Sequence, residues 1–276
     1  MAPKASIVGL MIVLLVNSGC RATNHARDYC QKDVCPGGKP NIGCHCGPKT
    51  KAASAYGSQC SGKHAHKIVV DSKLKNLILR EHNMRRNLIA CGSVAPYPAA
   101  AKMTEVTWDD ELEYLAWCNT RSCVYDHDQC RSTIDFPFAG QNIAARTVCQ
   151  AKPIKPEELI TSSIDIWFME HQNATPAMID KFPGKHTGNP IGHFTVLVND
   201  RVRRIGCSLI VYETSHSIST KPCLSHYIVC NYSYINFMGE KTYNKSDKSA
   251  VDCSVRSSQY SCLCGSAEPL TTEQVW

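Results

Sequence analysis

Cysteine is the residue type that most restricts how this chain can fold. The sequence holds 17 cysteines among 276 residues, a density that is unusual in a reducing cytosol unless the thiols bind metal ions. One of them, Cys20, lies in a segment with the layout of a leader, and without it 16 remain, an even number that disulfides can consume completely. The sequence therefore predicts a fold cross-linked by disulfides in an oxidising compartment.

Zinc binding is the alternative use for these cysteines. Residues 44–46 (Cys-His-Cys) and 64–66 (His-Ala-His) resemble clusters of metal ligands. Neither cluster belongs to a pair of Cys-x2-Cys knuckles at the spacing of a zinc ribbon or a zinc finger. Disulfides are therefore the preferred interpretation.

Residues 1–22 have the three-part layout of a secretory signal peptide. Lys4 supplies a positive charge, residues 7–16 are uncharged and almost wholly apolar, and small or polar residues follow up to Ala22. A membrane anchor is the alternative, but this apolar run is shorter than the roughly 20 residues that span a bilayer. No later stretch is apolar enough to span one. We therefore expect a secreted, extracellular protein without a membrane span.

Composition excludes two further classes of protein. Hydrophobic residues make up 43% of the chain and charged residues 20%, which provides for a packed core and argues against intrinsic disorder. The formal net charge is +6, and removal of Lys4 and Arg21 with the leader lowers it to +4. A charge this small and dispersed argues against a nucleic-acid partner.

The mature chain divides into three regions. Residues 23–67 are rich in Cys, Gly and Lys with little hydrophobic periodicity, so we expect a disulfide-rich extension rather than a core. Residues 68–245 carry the periodic patterns of a globular domain. Residues 246–276 form a polar tail with three cysteines, which we expect to be clipped back by a disulfide and to end in disorder.

Three helices and two strands can be placed in the central region. Helices are predicted to begin at Asp71 or Ser72, at residues 109–110, and at Pro156, where capping residues or acidic first turns precede apolar residues at helical spacing. Strands are predicted at residues 205–211 and 227–232. Helices that precede antiparallel-type strands, without a βαβ rhythm, indicate an α+β fold with helices packed on a small sheet.

Four stretches, in this order, resemble the CAP superfamily of cysteine-rich secretory, antigen 5 and pathogenesis-related 1 proteins. They are residues 79–87 (LREHNMRRN), 140–143 (GQNI), 192–195 (GHFT) and 227–232 (YIVCNY). The insect antigen 5 branch is the most similar, because Asp28-Tyr29-Cys30, Cys35 and residues 123–131 also match its patterns. The resemblance covers residues 28–264 and implies a salivary or venom-type component and potential allergen.

The resemblance also implies a fold. It is a CAP-type α-β-α sandwich, in which a three- to four-stranded antiparallel sheet lies between helical layers, with a disulfide-rich N-terminal segment and a short C-terminal tail. Residues 193–198 read as a strand because they are β-branched, whereas the resemblance implies that their first turn is helical.

Part of the disulfide pattern follows from the same resemblance. Four cysteines, Cys91, Cys118, Cys149 and Cys223, have no assigned partner. The implied pairs are Cys30 with Cys44 or Cys46, Cys35 with Cys130, Cys60 with Cys123, Cys207 with Cys230, and Cys253 with Cys262 or Cys264.

The superfamily cleft holds two histidines and two acidic residues, which match His127, Gln141, Glu170 and His193 in this sequence. Two neutral imidazoles that converge can share a divalent ion, so Zn2+ at His127 and His193 is possible although no cofactor is required. Gln141 replaces the usual Glu and cannot act as a base or an anionic ligand. Residues 196–199 lack the Gln and Trp that usually follow this motif, which leaves the shape of the cleft wall open.

Structural explanations compete with these functional ones. A single histidine is more often a structural or surface residue than a metal ligand. Glu170 could simply be the solvated edge of a helix face that carries Trp167 and Phe168. His82 does not match a cleft position, and we interpret it as structural.

The sequence favours a non-enzymatic antigen 5-like CAP protein. Its partners would be a lipid or other hydrophobic small molecule held between helices, as in some relatives, or a host extracellular protein. A metal-dependent hydrolase that uses His127, His193 and Glu170 is the alternative, but nucleophile-elbow, zincin and phosphate-loop motifs are missing from the sequence. Three cysteines after Lys245 are too few for a channel-directed domain, and an Arg-Gly-Asp tripeptide is absent.

Three sequons predict glycosylation sites. Asn173 and Asn244 are the expected surface acceptors. Asn231 lies in the last strand motif and is expected to be too constrained.

Overall fold

A computed structural model of the protein describes five stretches of the chain. The predicted signal peptide, residues 1–22, and the end of the tail, residues 270–276, lie outside the described residues. No helix among the described residues is long and apolar enough to cross a membrane. The described residues are 28–46, 56–149, 152–184, 187–215 and 222–269.

Five α-helices lie in these described stretches. The first three begin where the sequence predicts. Asp71 caps the first by accepting a hydrogen bond from the amide of Leu74, and Asp109 caps the second. Pro156 opens the third, where the missing N–H of proline costs nothing. The helices are α1 (Ser72–Ala90), α2 (Asp110–Thr120), α3 (Pro156–Met169), α4 (Pro176–Asp180) and α5 (Gly192–Leu197).

Seven strands form two sheets within the described residues. They are β1 (His66–Ile68), β2 (Ala99–Ala100), β3 (Thr107–Trp108), β4 (Gly140–Val148), β5 (Arg204–Thr214), β6 (Cys223–Tyr232) and β7 (Lys245–Ser246). In the main sheet, β1, β5, β6 and β4 lie in this order and pair antiparallel, and β3 adds a fifth strand beside β5. The strands β2 and β7 pair separately. The two predicted strands lie within β5 and β6, at the centre of the main sheet.

Each face of the main sheet buries its own hydrophobic cluster. On one face, Leu209 and Ile228 pack with residues of α1, α3 and α5. On the other face, Ile210 and Tyr227 pack against Trp117 and its neighbours on α2. Helices therefore border both faces of the sheet, which is consistent with the sandwich that the resemblance implies.

The approach of α2 to the sheet depends on a glycine. A Cβ atom at Gly206 of β5 would lie 2.1 Å from the amide nitrogen of Glu113 and 2.5 Å from the carbonyl oxygen of Asp109. Any side chain at this position would push α2 away from β5.

Three details differ from what the sequence patterns predict. The short strand β3 runs parallel to β5, so the sheet is not wholly antiparallel. Strand β4 carries no clear alternation of apolar and polar residues and was not predicted as a strand. Residues 193–198 form α5 and the turn after it rather than a strand, as the resemblance implies.

Eight disulfides join the sixteen cysteines of the described residues. Cys30 bonds to Cys44 rather than to Cys46, and Cys253 bonds to Cys264 rather than to Cys262. The pairs are Cys30–Cys44, Cys35–Cys130, Cys46–Cys118, Cys60–Cys123, Cys91–Cys262, Cys149–Cys223, Cys207–Cys230 and Cys253–Cys264.

The C-terminal segment packs more tightly than its polar composition indicates. Cys262 ties it to the end of α1 through Cys91, and the neighbouring Leu263 is fully buried in the main core. The buried carboxylate of Glu268 lies 2.7 Å from Nζ of Lys102. The segment up to residue 269 is therefore part of the folded domain rather than a loose tail.

Candidate functional site

A cleft of about 410 Å³ opens where the first residues of β4 and α5 meet. Clefts that bind small ligands commonly enclose about 300–1,000 Å³. Three of the four predicted cleft residues line it, and the fourth, Glu170, holds one of those three. The lining residues are His127, Arg131, Gln141, Asn142, Pro190, Gly192, His193, Val196, Ile235 and Asn236.

Close contact between β4 and the chain after β6 shapes one wall of the cleft. A Cβ atom at Gly140 would lie 2.5 Å from the carbonyl oxygen of Tyr234. Glycine at this position therefore allows Ile235 and Asn236 to stand beside Gln141 in the cleft lining.

Glu170 holds His193 at the start of α5. Nδ1 of His193 lies 2.6 Å from Oε1 of Glu170. Oε2 of the same carboxylate accepts hydrogen bonds from the backbone amides of His193 (2.8 Å) and Phe194 (3.2 Å). The imidazole also stacks on Trp167, with ring centroids 6.2 Å apart. The carboxylate of Glu170 thus accepts two otherwise unpaired N–H groups in the first turn of α5 and also orients the imidazole ring of His193.

Gln141 holds His127, a second histidine of the cleft lining. Nδ1 of His127 lies 2.8 Å from Oε1 of Gln141. Nε2 of Gln141 donates to Oδ2 of Asp128 (2.6 Å) and to Oδ1 of Asn231 (3.0 Å). Because both of these oxygens accept, the amide of Gln141 can only present its own oxygen to His127.

These hydrogen bonds fix the tautomer of both imidazoles. Since Oε1 of Gln141 accepts, Nδ1 of His127 must carry the proton. The carboxylate of Glu170 likewise requires a proton on Nδ1 of His193. In their neutral forms, both rings therefore present an unprotonated Nε2 that can accept a hydrogen bond or coordinate a metal.

Asp128 is the anchor behind Gln141. Its Oδ1 lies 2.8 Å from Nε of Arg131, and its Oδ2 accepts from Asn119 as well as from Gln141. The ion pair of Asp128 and Arg131 is almost fully buried, so its geometry is well defined.

Burial keeps His127 neutral. Desolvation lowers the pKa of His127 below its ordinary value, and the electrostatic effects of Arg131 and the neighbouring His193 lower it further. The hydrogen bond with Gln141 and the charge of Asp128 act in the opposite direction but do not reverse the shift. A lowered pKa favours the neutral, ligand-competent imidazole at physiological pH.

His82 lies outside the cleft lining, in a buried network behind it. Its Nδ1 lies 2.8 Å from the carbonyl oxygen of Ile78, and its Nε2 lies 2.9 Å from the hydroxyl of Tyr232. That hydroxyl also accepts from Asn142, which bonds the carbonyl oxygen of His193. Burial lowers the pKa of His82 to about 4, so its contacts are those of a neutral structural residue.

His127 and His193 are the two side chains of the described cleft lining that commonly bind metal ions. Among the described residues, no group of three or more His, Cys, Asp or Glu side chains could hold a metal ion. Gln141 occupies the position where a carboxylate would add a negative charge. Zn2+ binding by His127 and His193 therefore stays a prediction, and water or a ligand would have to complete the usual four coordination positions.

Sequence reasoning missed several residues of the cleft. In the sequence, Arg131 stands out only as the end of a cysteine motif, and Asn142 only as the third residue of the Gly-Gln-Asn stretch. Asn236 donates to the carbonyl oxygen of Gly192, while its buried Oδ1 has no hydrogen-bond partner among the described residues. No sequence signal marks Asn236, because the fold alone brings it to the cleft.

The three sequons differ in exposure. Asn244 is exposed, and Asn173 is half-buried with its amide donating to the carbonyl oxygen of Pro190. Asn231 is fully buried and bonded to Leu112 and Gln141, which leaves no room for a glycan.

The chain belongs to the cysteine-rich secretory protein (CAP) family, which residues 79–232 match. Within it, the chain is an antigen 5-like protein. It is 35% identical over 246 residues to Venom allergen-1 of Aedes aegypti, covering 89% of this chain and 90% of that protein. It is 37% identical over 209 residues to the antigen 5 like allergen Cul n 1 of Culicoides nubeculosus, covering 73% and 90% respectively.

A solved structure of the family supports the fold. The crystal structure of NaASP2 with Zn2+ superposes with a TM-score of 0.56 at 24% sequence identity, covering 70% of this chain and 96% of that one. At this identity the likeness concerns the fold alone.

Proposed function

We propose that this protein is a secreted, non-enzymatic binding protein that holds a hydrophobic small molecule in the cleft between β4 and α5. The observation that carries the proposal is that the two carboxylates beside the histidines are committed to the protein itself. Its relatives named as venom allergens, together with eight disulfides, support an extracellular location.

A hydrolase would need a group that can take a proton from water or substrate. Glu170 accepts three hydrogen bonds, and its side chain is 11% exposed. Asp128 is bonded to Arg131 and Gln141, and its side chain is 3% exposed. Gln141 cannot ionise. The neutral imidazoles of His127 and His193 are the remaining bases, but the described cleft lining contains no hydroxyl or thiol side chain that they could activate as a nucleophile. This favours binding over covalent catalysis.

The cleft lining combines apolar residues with two hydrogen-bond acceptors. Pro190, Val196 and Ile235 are apolar, and the Nε2 atoms of His127 and His193 are left to accept hydrogen bonds because their Nδ1 atoms are already bonded. A ligand that fits has a hydrophobic body and a hydroxyl or other donating head, which is the chemistry of many lipids and their oxidised derivatives.

A divalent ion is compatible with the same two atoms. His127 and His193 would hold Zn2+, and when bound the ion would supply a positive charge to an anionic ligand head. Two protein ligands make a weak site, so the proposal does not require the metal.

The space between α1 and α3 is a less suitable place for a ligand. Ile78 and Ile164 fill this seam as part of the main core, and Arg85 bridges it to Asp165 at 3.1 Å. We therefore place the hydrophobic ligand in the cleft rather than between helices.

Native mass spectrometry of the secreted protein, purified without denaturation and followed by lipid extraction and metal analysis, tests the proposal. A co-purified lipid or a fluorescent fatty acid probe should bind wild type and lose about tenfold or more affinity in His127→Ala and His193→Ala. His64→Ala is the matched control, because His64 is exposed and bonded to Glu213 away from the cleft lining.

Two results would contradict the proposal. Turnover of a peptide library that both cleft substitutions abolish would show a hydrolase. A protein that holds no small molecule but binds a host extracellular protein, with the same affinity in both variants, would move the function to the surface. Glycans on Asn173 or Asn244, read from the intact mass, would support passage through the secretory pathway.

A further inference from the structure

The second half of β4 is an open edge of the main sheet. Among the strands of the described residues, the order β1-β5-β6-β4 leaves β4 paired on one side only, with β6. Residues 140–143 of this strand are buried, whereas residues 145–147 are exposed. An exposed edge strand offers unpaired main-chain groups to another strand.

The outward-facing groups of this edge can be identified. Nε1 of Trp167 donates to the carbonyl oxygen of Ile143 at 3.1 Å, so the main-chain groups of Ile143 point away from β6. The register with β6 runs without a bulge from Gly140 to Val148. Ala145 and Thr147 therefore also point outward, since antiparallel strands alternate in this respect. Within the described part of the chain their N–H and C=O groups have no partner.

An exposed aromatic side chain lies beside the same edge. Tyr125 is 54% exposed, and its ring centroid lies 5.5 Å from that of Tyr227. Tyr227 stands directly opposite Ala145 in the sheet register. A residue of an added strand that pairs with Ala145 or Thr147 would place its side chain on this face, next to Tyr125.

A positive charge lies on the other face of the edge. The side chain of Arg146 is half exposed and bonded to the equally exposed Glu158 at 2.7 Å. A surface ion pair of this exposure is weak, so Arg146 can engage another carboxylate. In an added antiparallel strand, the residue opposite Arg146 is a non-hydrogen-bonded neighbour with its Cβ about 4.5–5.5 Å away.

We propose that this edge binds an extended segment of a partner protein by β-strand addition, and that the segment carries an acidic residue between two β-branched or aromatic residues. The acidic residue faces Arg146, and its two neighbours pair with Ala145 and Thr147 on the side of Tyr125. A second copy of this chain fits less well. The two-fold pairing that uses both Ala145 and Thr147 of each chain places Arg146 against the Arg146 of the copy.

Amide hydrogen exchange followed by NMR tests the proposal on the full mature chain. The probe is the peptide acetyl-Thr-Val-Glu-Val-Thr-amide, with acetyl-Thr-Val-Lys-Val-Thr-amide as its charge-reversed control. Saturating probe should slow exchange at the amides of Ala145 and Thr147 by about tenfold or more and leave the β6-bonded amide of Arg146 unchanged. The lysine peptide should bind about tenfold more weakly.

Two substitutions of Thr147 distinguish the loss of its outward N–H group from the loss of its side chain. Thr147→Pro removes an outward N–H that the fold does not use, so folding should persist while probe binding is lost. Thr147→Val keeps the N–H and should bind as wild type does. Arg146→Glu should reverse the preference between the two peptides.

Several outcomes would overturn the proposal. One is saturation without slowed exchange at Ala145 and Thr147, and another is no binding at millimolar probe. Protection that grows with protein concentration alone would show a second copy as the occupant. Should Thr147→Pro fail to fold, the exchange pattern of wild type decides. His127→Ala and His193→Ala should leave probe binding intact, which keeps this proposal separate from the cleft.

Discussion

The amide of Gln141 should be indispensable to the cleft, and Gln141→Glu tests this with almost no change in shape. The substitution removes the N–H groups that donate to Asp128 at 2.6 Å and to Asn231 at 3.0 Å. It places a second carboxylate against the first and leaves Oδ1 of Asn231 without its donor.

The size of the effect follows from these contacts. Two carboxylates in contact repel by more than about 4 kcal/mol at an effective dielectric constant near 20. Protonating a carboxyl of ordinary pKa, about 4.3, at pH 7 costs about 3.7 kcal/mol, which sets the upper limit of the charge effect. The donor lost by Asn231 adds about 1 kcal/mol, while Arg131 beside Asp128 offsets part of the repulsion. We expect the free energy of unfolding to fall by about 3–5 kcal/mol at pH 7.

Denaturant unfolding at two pH values distinguishes repulsion from a packing defect. The folded state raises the pKa of the new carboxyl above its unfolded value. The stability deficit of Gln141→Glu is therefore present above the unfolded pKa and shrinks as the pH falls to about 4. Gln141→Met is the control, because it loses the same hydrogen bonds without a charge and its deficit should not change with pH.

The reasoning would be refuted if Gln141→Glu were as stable as wild type at pH 7. It would also fail if the deficit were the same at pH 4 as at pH 7. Adding Asp128→Asn should recover part of the lost stability, since the new amide can donate to the new carboxylate.

Three further predictions concern the scaffold. The pKa of His82 is lowered to about 4, so below its ordinary pKa the unfolded chain binds a proton that the folded chain excludes. The free energy of unfolding should therefore fall by about 3 kcal/mol between pH 6.5 and pH 4. In denaturant titrations, His82→Gln should flatten this decline. Gly206→Ala should cost about 3 kcal/mol or more by thermal unfolding, whereas Gly192→Ala, with open space around its Cβ, should cost well under 1 kcal/mol. Paired serine substitutions at Cys91 and Cys262 should lower stability by about 2–5 kcal/mol and expose the C-terminal segment to limited proteolysis, and a segment that stays resistant would contradict its packing role.

Local signals predicted the elements whose ends are set by local chemistry. Asp71 and Asp109 cap α1 and α2 with their own side chains, and Pro156 opens α3, so these helices could be placed from sequence. Their caps depend on residues within three positions along the chain.

Elements that depend on contacts between residues far apart in the sequence could not be predicted from local signals. The helix α5 contains the β-branched residues Thr195 and Val196, and the carboxylate of Glu170, from another element, supports its first turn by accepting the amides of His193 and Phe194. Strand β4 shows no alternation because its first half is buried by the surrounding chain while its second half is exposed. In both cases tertiary context overrides local preference.

The same distinction between local and long-range information applies to the candidate site. The family resemblance implied His127, Gln141, Glu170 and His193 as cleft positions. The reason that Gln141 can orient His127 is a hydrogen bond from its amide to Asp128, which no spacing along the chain reveals. The tautomers of the two imidazoles follow only from this three-dimensional network.

The disulfides show how much connectivity depends on the fold. Sixteen cysteines allow far too many pairings for spacing to decide. Cys91 and Cys262 are 171 residues apart and meet because the C-terminal segment returns to the end of α1.

The most direct test of the central claim is a long-range 1H–15N NMR spectrum of the His127 and His193 rings at pH 8, recorded before and after one equivalent of Zn2+. We expect both neutral rings to carry the proton on Nδ1, and both Nε2 signals to shift when the ion is added. Rings protonated on Nε2, or an ion that perturbs only one of them, would contradict a cleft built to present two imidazole lone pairs.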